Sequence, residues 1–323
     1  MGEDQDSKKA RRKGTGHPPP SSNRGTSVTL PNAAMKVGAL AWGHDDRFGR
    51  SITHEELLAS LTTFHGAMTT DLVLCAGTRI RLGATTEPWT NEDPPREIAR
   101  AIFTAAGRPV LLEWPIQPRA MRPHRWLLAT AAGFKEIREG QYVFESGPPK
   151  AKVAQVLGEM NRGFGTITLK DGDREVSLVL VICNEARIFD AVGNARARLR
   201  HAWGAEDIPP VFRNPWVMLH PSHKPYWSAS KRSGRGLVAP WVLKTGQTAR
   251  RPHFSLITTR RRASNGPMIL PVQVIHAGPF RRDQAEEPAF SVCGFRGGAQ
   301  TRAAPLQRDV PGVGAARYVE LDV

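Results

Sequence analysis

The feature that most constrains this fold is a run of apolar, mostly β-branched residues at 178–182, followed at once by Cys183, Asn184 and Glu185. Such a run is typical of a strand buried on both faces, as in a sheet covered by other layers. Because α/β folds carry their reactive groups at strand ends, the thiol of Cys183 is a candidate nucleophile. The alternative is an unreactive cysteine that fills core space.

Short apolar runs of this kind recur along the chain, and helical patterns separate some of them. A helix is predicted at 54–68, with Thr53 as its N-cap and two glutamates in its first turn. Further helices are predicted at 94–106, where a proline stands at the start, and at 189–203. Strands are predicted at 35–42, 71–76, 108–114, 126–131, 141–145, 165–169, 215–220, 254–258, 268–275 and 290–294. Strands that alternate with helices early and cluster later predict an α/β layered sandwich.

The ends of the chain differ in composition from its middle. Residues 1–34 are rich in basic residues, proline and serine, and they lack the apolar segment of a signal peptide, so we expect a disordered basic tail. Residues 35–280 form the predicted sandwich domain, and 281–323 are predicted to be a loosely held C-terminal extension. No run approaches the roughly 20 apolar residues of a membrane span. The three cysteines, Cys75, Cys183 and Cys293, lie far apart, which favours a reducing, cytoplasmic location.

Positive charge is concentrated in one part of the sequence. The formal net charge is +15, and the window 208–282 holds thirteen lysines and arginines but no acidic residue. Such a window predicts a positive field that attracts an anionic ligand or nucleic acid. The alternative is an ordinary solvated basic face.

Two histidines follow the strand predicted at 215–220. His220 and His223 have HxxH spacing, but no third ligand lies nearby in sequence, so we expect no metal site there. They are instead expected to line the pocket of Cys183, because consecutive strands are usually neighbours. The sequence contains no GxSxG, Walker A or GxGxxG motif, and we predict no cofactor.

The order of these elements resembles that of the carbon–nitrogen hydrolases, the nitrilase superfamily, over about residues 35–280. The resemblance lies in the strands at 35–42 and 71–74, in the stretch Ile-Cys-Asn-Glu at 182–185, and in the strand end Leu-His-Pro-Ser-His at 219–223. It implies a four-layer α-β-β-α sandwich, a homodimer, and cysteine-based hydrolysis of a C–N bond in a small-molecule substrate.

The resemblance further implies a cysteine nucleophile, a glutamate general base and a lysine that stabilises the tetrahedral intermediate. A thiol with a pKa of about 8.5 needs a base or a cationic neighbour to become a thiolate at neutral pH. Cys183 matches the nucleophile, but Gly77 stands where the family carries the base. Glu87 and Glu113 are later acidic residues, and the sequence assigns neither of them to that role.

The position of the family lysine depends on the alignment. Phe144 occupies it in a direct alignment, whereas an insertion at 146–149 would bring Lys150 to it, eight residues before Gly158. Glu159 then resembles the accessory family carboxylate. The alternative is that Lys150 is a surface charge in a proline-rich loop. Around the site, Asn184, Glu185, His220 and His223 are the expected substrate-binding residues.

Two functions follow from these patterns. The first is a divergent carbon–nitrogen hydrolase that acts on an amide, nitrile or carbamoyl bond through Cys183. The second is a catalytically impaired nitrilase-like protein that binds an anionic ligand or nucleic acid through the basic 208–282 region. The missing base at Gly77 leaves both open.

Overall fold

The computed structural model describes residues 27–44, 52–77, 80–81, 94–114, 125–139, 165–182, 216–223, 273–282, 290–294 and 305–323. In chain order these contain β1 (Val28–Pro31), β2 (Lys36–His44), β3 (Ile52–Thr53), α1 (His54–Phe64), β4 (Leu72–Cys75), β5 (Ile80–Arg81), α2 (Arg96–Ala106), β6 (Val110–Trp114), β7 (Arg125–Thr130), β8 (Gly133–Glu139), β9 (Thr166–Asp171), β10 (Arg174–Leu180), β11 (Trp216–Pro221), β12 (Gln273–Ala277), β13 (Phe280–Arg281), β14 (Phe290–Gly294), β15 (Leu306–Val310) and β16 (Gly314–Asp322). The predicted strands at 141–145 and 254–258 and the helix at 189–203 lie outside the described residues.

The strands form two large mixed sheets and one short two-stranded pairing of β3 with β5. The first large sheet has the order β15-β16-β2-β4-β6-β7-β8, and β13 also pairs with β2. The second has the order β1-β9-β10-β11-β12-β14. In the first sheet β2, β4 and β6 are parallel neighbours, and in the second β10, β11 and β12 are parallel neighbours. Each sheet therefore presents a group of parallel strand ends at one edge.

The two large sheets face each other across an apolar core. Val37, Ala39 and Leu74 of the first sheet share one buried cluster with Leu178 and Leu219 of the second. Alternate residues of the same first-sheet strands lie in a different cluster with the two helices, because successive side chains of a strand point to opposite faces. The first sheet is thus buried on both faces, which explains why its central strands are nearly continuous apolar runs.

The helices α1 and α2 pack against the outer face of the first sheet. Thr53 caps α1 as the sequence predicts: its side chain accepts from the Glu56 backbone N–H, and the Glu56 carboxylate accepts from the Thr53 N–H at 2.8 Å. Gly107 ends α2 in the left-handed conformation, with φ of 71°. The predicted α/β class is confirmed, with two facing sheets and a helical layer on one of them. Of the four layers of the predicted α-β-β-α sandwich, the described residues contain three.

Both ends of the chain contribute strands that the sequence did not predict. Part of the predicted disordered tail forms β1, which pairs in parallel with β9. Most of β16 pairs with β2, from Ala316 beside Trp42 to Asp322 beside Lys36. Residues 305–323 therefore belong to the sandwich rather than to an extension outside it. Within the described residues, no helix is long and apolar enough to cross a membrane.

Candidate functional site

The carboxyl-terminal ends of parallel strands from both sheets meet at one edge of the sandwich. Gly77 lies two residues beyond the end of β4 and donates its N–H to the carbonyl of Ser222, just beyond the end of β11, at 3.1 Å. A Cβ atom on Gly77 would lie 2.7 Å from the Ser222 carbonyl carbon and 2.9 Å from the His223 nitrogen. The two backbones therefore approach closely only because residue 77 has no side chain.

A buried carboxylate and a histidine join the two sheets beside this contact. Glu113, the fourth residue of β6, is fully buried, and its Oε2 lies 2.6 Å from Nε2 of His223. The His223 side chain remains 23 % exposed. Burial of a carboxylate is costly unless it is paired and hydrogen-bonded, so the imidazole is the partner that this position requires. The pair thus extends from the core to the surface at the strand ends.

A buried arginine makes a third contact between the sheets. Glu113 of β6 is paired with Trp126 of β7, and Trp126 is paired with Arg138 of β8. Directly paired residues project from the same face of a sheet, so the three side chains form a row that faces the second sheet. Arg138 is buried and its Nη1 donates to the Leu180 carbonyl, at the end of β10, at 2.9 Å.

The three side chains of this row lie along the ends of β10 and β11. Arg138 contacts the end of β10, Glu113 contacts His223 just beyond the end of β11, and Trp126 stands between Arg138 and Glu113 in the row. Beyond Leu180, the backbone N–H of Val181 still bonds to the Leu219 carbonyl at 2.9 Å, and Ile182 is fully buried. The described part of this strand ends there. The next residue in sequence is Cys183.

Two further histidines at this edge contact each other. His220 of β11 and His276 of β12 are directly paired, and their Nδ1 atoms lie 2.7 Å apart. At this distance one Nδ1 carries a proton and the other accepts it. Burial, and then the charge that His220 would carry, lower the pKa of His276 well below its ordinary value. The His276 ring is therefore held neutral, and the His220 ring is buried against it.

Of the predicted site residues, the structure describes the two histidines. His223 lies at the strand-end edge beside Glu113, and His220 is buried against His276, so the predicted role of both in substrate binding remains a prediction. The predicted nucleophile, lysine, accessory carboxylate and flanking residues, namely Cys183, Lys150, Glu159, Asn184 and Glu185, lie outside the described residues. Cys75 is fully buried, and burial raises the pKa of its thiol.

Two residues of this edge were not assigned to the site from the sequence. The sequence indicated Glu113 only as an acidic residue at a predicted strand end. No sequence pattern indicated Arg138. The polarity of Glu113 in an otherwise apolar strand is the one available clue, since a carboxylate at a buried position usually has a partner. Among the described residues, no group of three or more His, Cys, Asp or Glu side chains is arranged to hold a metal ion.

Among known proteins, the chain is similar to several solved structures. No family model matches the chain, and no curated protein matches it. An amidase from Nesterenkonia sp. is 14 % identical over 90 % of this chain and 91 % of its own, with a TM-score of 0.37. A CN-hydrolase superfamily protein from Xanthomonas campestris, with an arsenic adduct in its active site, is 12 % identical over 89 % of each chain, with a TM-score of 0.39. At such values the similarity carries no argument about the site, which rests on the contacts above.

Proposed function

We propose that the chain is a divergent carbon–nitrogen hydrolase that cleaves an amide, nitrile or carbamoyl C–N bond with Cys183 as the nucleophile. The observation that carries this proposal is the row at the strand-end edge, where Glu113 holds His223 and Arg138 binds the end of β10. Cys183 directly follows the buried Ile182 in sequence. A thiol at this edge would meet both a base and a fixed positive charge.

The positive charge of Arg138 could assist two steps of the reaction, formation of the thiolate and stabilisation of the oxyanion. A guanidinium stays protonated at any physiological pH, and Arg138 is held in place by the Leu180 carbonyl at 2.9 Å. Cys183 follows Leu180 by three positions in sequence. A cation in this region favours the thiolate over the thiol and then stabilises an oxyanion. Lys150 and Glu159 are proposed, on the family resemblance alone, to add a second cation and an accessory carboxylate.

For an amide substrate the proposed reaction has two halves. The thiolate attacks the carbonyl carbon and forms a tetrahedral oxyanion, which collapses to a thioester as the C–N bond breaks and the amine leaves with a proton. Water then attacks the thioester, and the acid product leaves as the thiol is regenerated. Asn184 and Glu185 are proposed to contact the substrate.

The test is hydrolysis by the purified full-length chain against a panel of short aliphatic amides, nitriles and N-carbamoyl compounds, with ammonia release as the readout. Butyramide belongs in the panel, because an amidase among the similar structures was solved in complex with it. We expect Cys183→Ala to abolish turnover. Cys75→Ala is the matched control, since it removes a thiol from the helix-side core and leaves the edge intact. Turnover that survives in Cys183→Ala would refute the proposal.

Thiol reactivity provides a test that needs no substrate. Iodoacetamide at neutral pH should modify Cys183 and spare Cys75, because burial shields the latter and raises its pKa. Peptide mapping by mass spectrometry assigns each adduct to its cysteine. An unmodified Cys183 in folded protein would contradict a nucleophilic role.

One observation favours the second function, a nitrilase-like binding protein. Gly77 carries no base, and the Ser222 backbone occupies the space that a side chain there would need. The structure describes residues 216–223 and 273–282 of the basic window. Binding of an anionic ligand or nucleic acid by this window therefore remains a prediction. Binding of mixed-sequence nucleic acid that weakens steeply with salt, in a chain without turnover, would support this function. No binding at low salt would exclude its nucleic-acid form.

A further inference from the structure

We propose that two copies of this chain pair by exchanging β1, so that β1 of each copy completes the β9 edge of the other. The inference is independent of the proposed reaction. It rests on residues 32–35, which join β1 to β2 and which the structure shows in a closed, strained conformation. We call this segment the hinge.

β1 is an edge strand with one strand partner. In the described part of the chain it pairs only with β9, from Val28 beside Ile167 to Pro31 beside Lys170. Val28 is buried in the core between the two large sheets, and Leu30 packs against that core. Without β1, β9 would present unpaired backbone groups, and a sheet edge of this kind is a template for another strand. The same strand from a second copy matches this edge residue for residue.

The hinge reverses the direction of the chain between the two sheets. β1 is parallel to β9, and β9 is antiparallel to β10, so β1 runs away from the strand-end edge of the site. β2 is parallel to β4 and runs toward that edge. The short hinge must therefore turn the chain back across two facing sheets, which typically lie about 10 Å apart. An extended hinge would instead carry β1 away from its own sheet, and strained short hinges favour such exchange.

The closed hinge is strained at two residues. Asn32 has a φ of 56° and Met35 has a φ of 61°, and both values lie in the left-handed region. Left-handed backbone is tolerated by asparagine but is unfavourable for a bulky residue such as methionine. An extended hinge would release this strain, because both residues could return to the β region. β1 would keep its hydrogen bonds, since β9 of the second copy supplies the same partners.

The carboxylate of Asp71 opposes exchange by holding the hinge closed. Its Oδ1 accepts the Ala34 N–H and its Oδ2 accepts the Lys36 N–H, each at 2.8 Å, on either side of Met35. The Val323 N–H also donates to the Met35 carbonyl at 2.8 Å. Straightening the hinge would move Ala34 away from the carboxylate. The equilibrium between closed and exchanged forms therefore depends on backbone strain against these hydrogen bonds.

The experiment uses two full-length variants, Thr29→Cys and Thr168→Cys, because Thr29 and Thr168 are directly paired across β1 and β9. Directly paired strand residues lie within the Cα separation that a disulfide allows, about 4.4–6.8 Å. The two chains carry different tags, are incubated together at high concentration, and are then oxidised with glutathione disulfide. We expect a covalent dimer of the two different chains, in which peptide mapping finds position 29 of one chain linked to position 168 of the other. Each variant oxidised alone is the matched control for links through the native cysteines.

Substitutions at the exposed Asn32 test the hinge itself. Asn32→Gly should lower the yield of linked dimer, because glycine adopts left-handed backbone freely, and Asn32→Val should raise it. We expect the equilibrium between closed and exchanged forms to differ by roughly tenfold per hinge between these two variants. Asp71→Asn should also raise the yield, because it weakens the bonds that close the hinge. Asp173→Asn, at an exposed acid between β9 and β10, is its matched control.

A chain that carries both Thr29→Cys and Thr168→Cys shows where β1 lies. If positions 29 and 168 are linked only within each chain, at every concentration and also with Asn32→Val, the inference is overturned, even where light scattering finds a dimer formed through another surface. A chain with no link between these positions of either kind would show that β1 does not lie beside β9, which would overturn it as well. Neither result depends on hydrolysis, so this inference and the proposed function can fail separately.

Discussion

The close approach at Gly77 gives the strongest prediction about stability. In Gly77→Ala the new methyl would lie 2.7 Å from the Ser222 carbonyl carbon and 2.8 Å from its oxygen, whereas ordinary contacts need about 3.5–4.0 Å. The backbone at 222–223 must then move by close to an ångström. Overpacking of this kind costs about 1–3 kcal/mol. Loss of the Gly77–Ser222 hydrogen bond adds about 0.5–1.5 kcal/mol. We therefore expect a loss of about 2–4 kcal/mol in the free energy of unfolding.

Urea denaturation of the wild type and of Gly77→Ala, followed by circular dichroism, measures this difference. Gly66→Ala is the matched control: nothing lies within 4 Å of its added Cβ, so it should be neutral or stabilise by up to about 1 kcal/mol. If Gly77→Ala is as stable as Gly66→Ala, the two sheets do not meet at this edge as described.

Three further predictions concern other parts of the fold. Thr53→Ala should lower the free energy of unfolding by about 1 kcal/mol in the same assay, because it removes the N-cap of α1; no loss would contradict the capping box. Because the pKa of His276 is lowered in the folded state, the unfolded state binds more protons below its ordinary value of about 6.5. Stability should therefore be fully present above that pH and fall as the pH drops below it, by at most about 1.4 kcal/mol per pH unit for one proton, and His276→Gln should flatten this slope. Cys75 should react with a thiol reagent only as fast as the protein unfolds, so labelling should follow the urea transition; fast labelling in native buffer would contradict its burial.

The sequence predicted the central strands well because their signal is local. β4 and β6 are buried on both faces of one sheet, and their apolar runs could be recognised without knowing their neighbours. α1 was predicted with its cap for the same reason: Thr53 and Glu56 are three residues apart and form a complete local motif.

The elements that the sequence missed take their stability from distant partners. β16 carries charged residues at 317, 320 and 322, and it lies between two partners, β15 on one side and β2 on the other. β1 likewise depends on β9. The pairing of Glu113 with His223 spans 110 residues, and no local pattern could have indicated it. The sequence could locate the strand end of a site, but only the packing of two sheets shows which side chains meet there.

The two cross-sheet contacts at the site edge involve consecutive residues, so we expect their contributions to stability to be coupled. Ser222 and His223 are consecutive, so a side chain at position 77 that displaces one must also move the other away from Glu113. Gly77→Ala and His223→Asn should therefore be non-additive in the free energy of unfolding, because the first already weakens the contact that the second removes. Contacting residues typically couple by about 0.5–3 kcal/mol, and a double-mutant cycle by urea denaturation measures this value. Strict additivity would mean that the two contacts are independent. Coupling would mean that the absence of a side chain at position 77 keeps His223 in contact with Glu113.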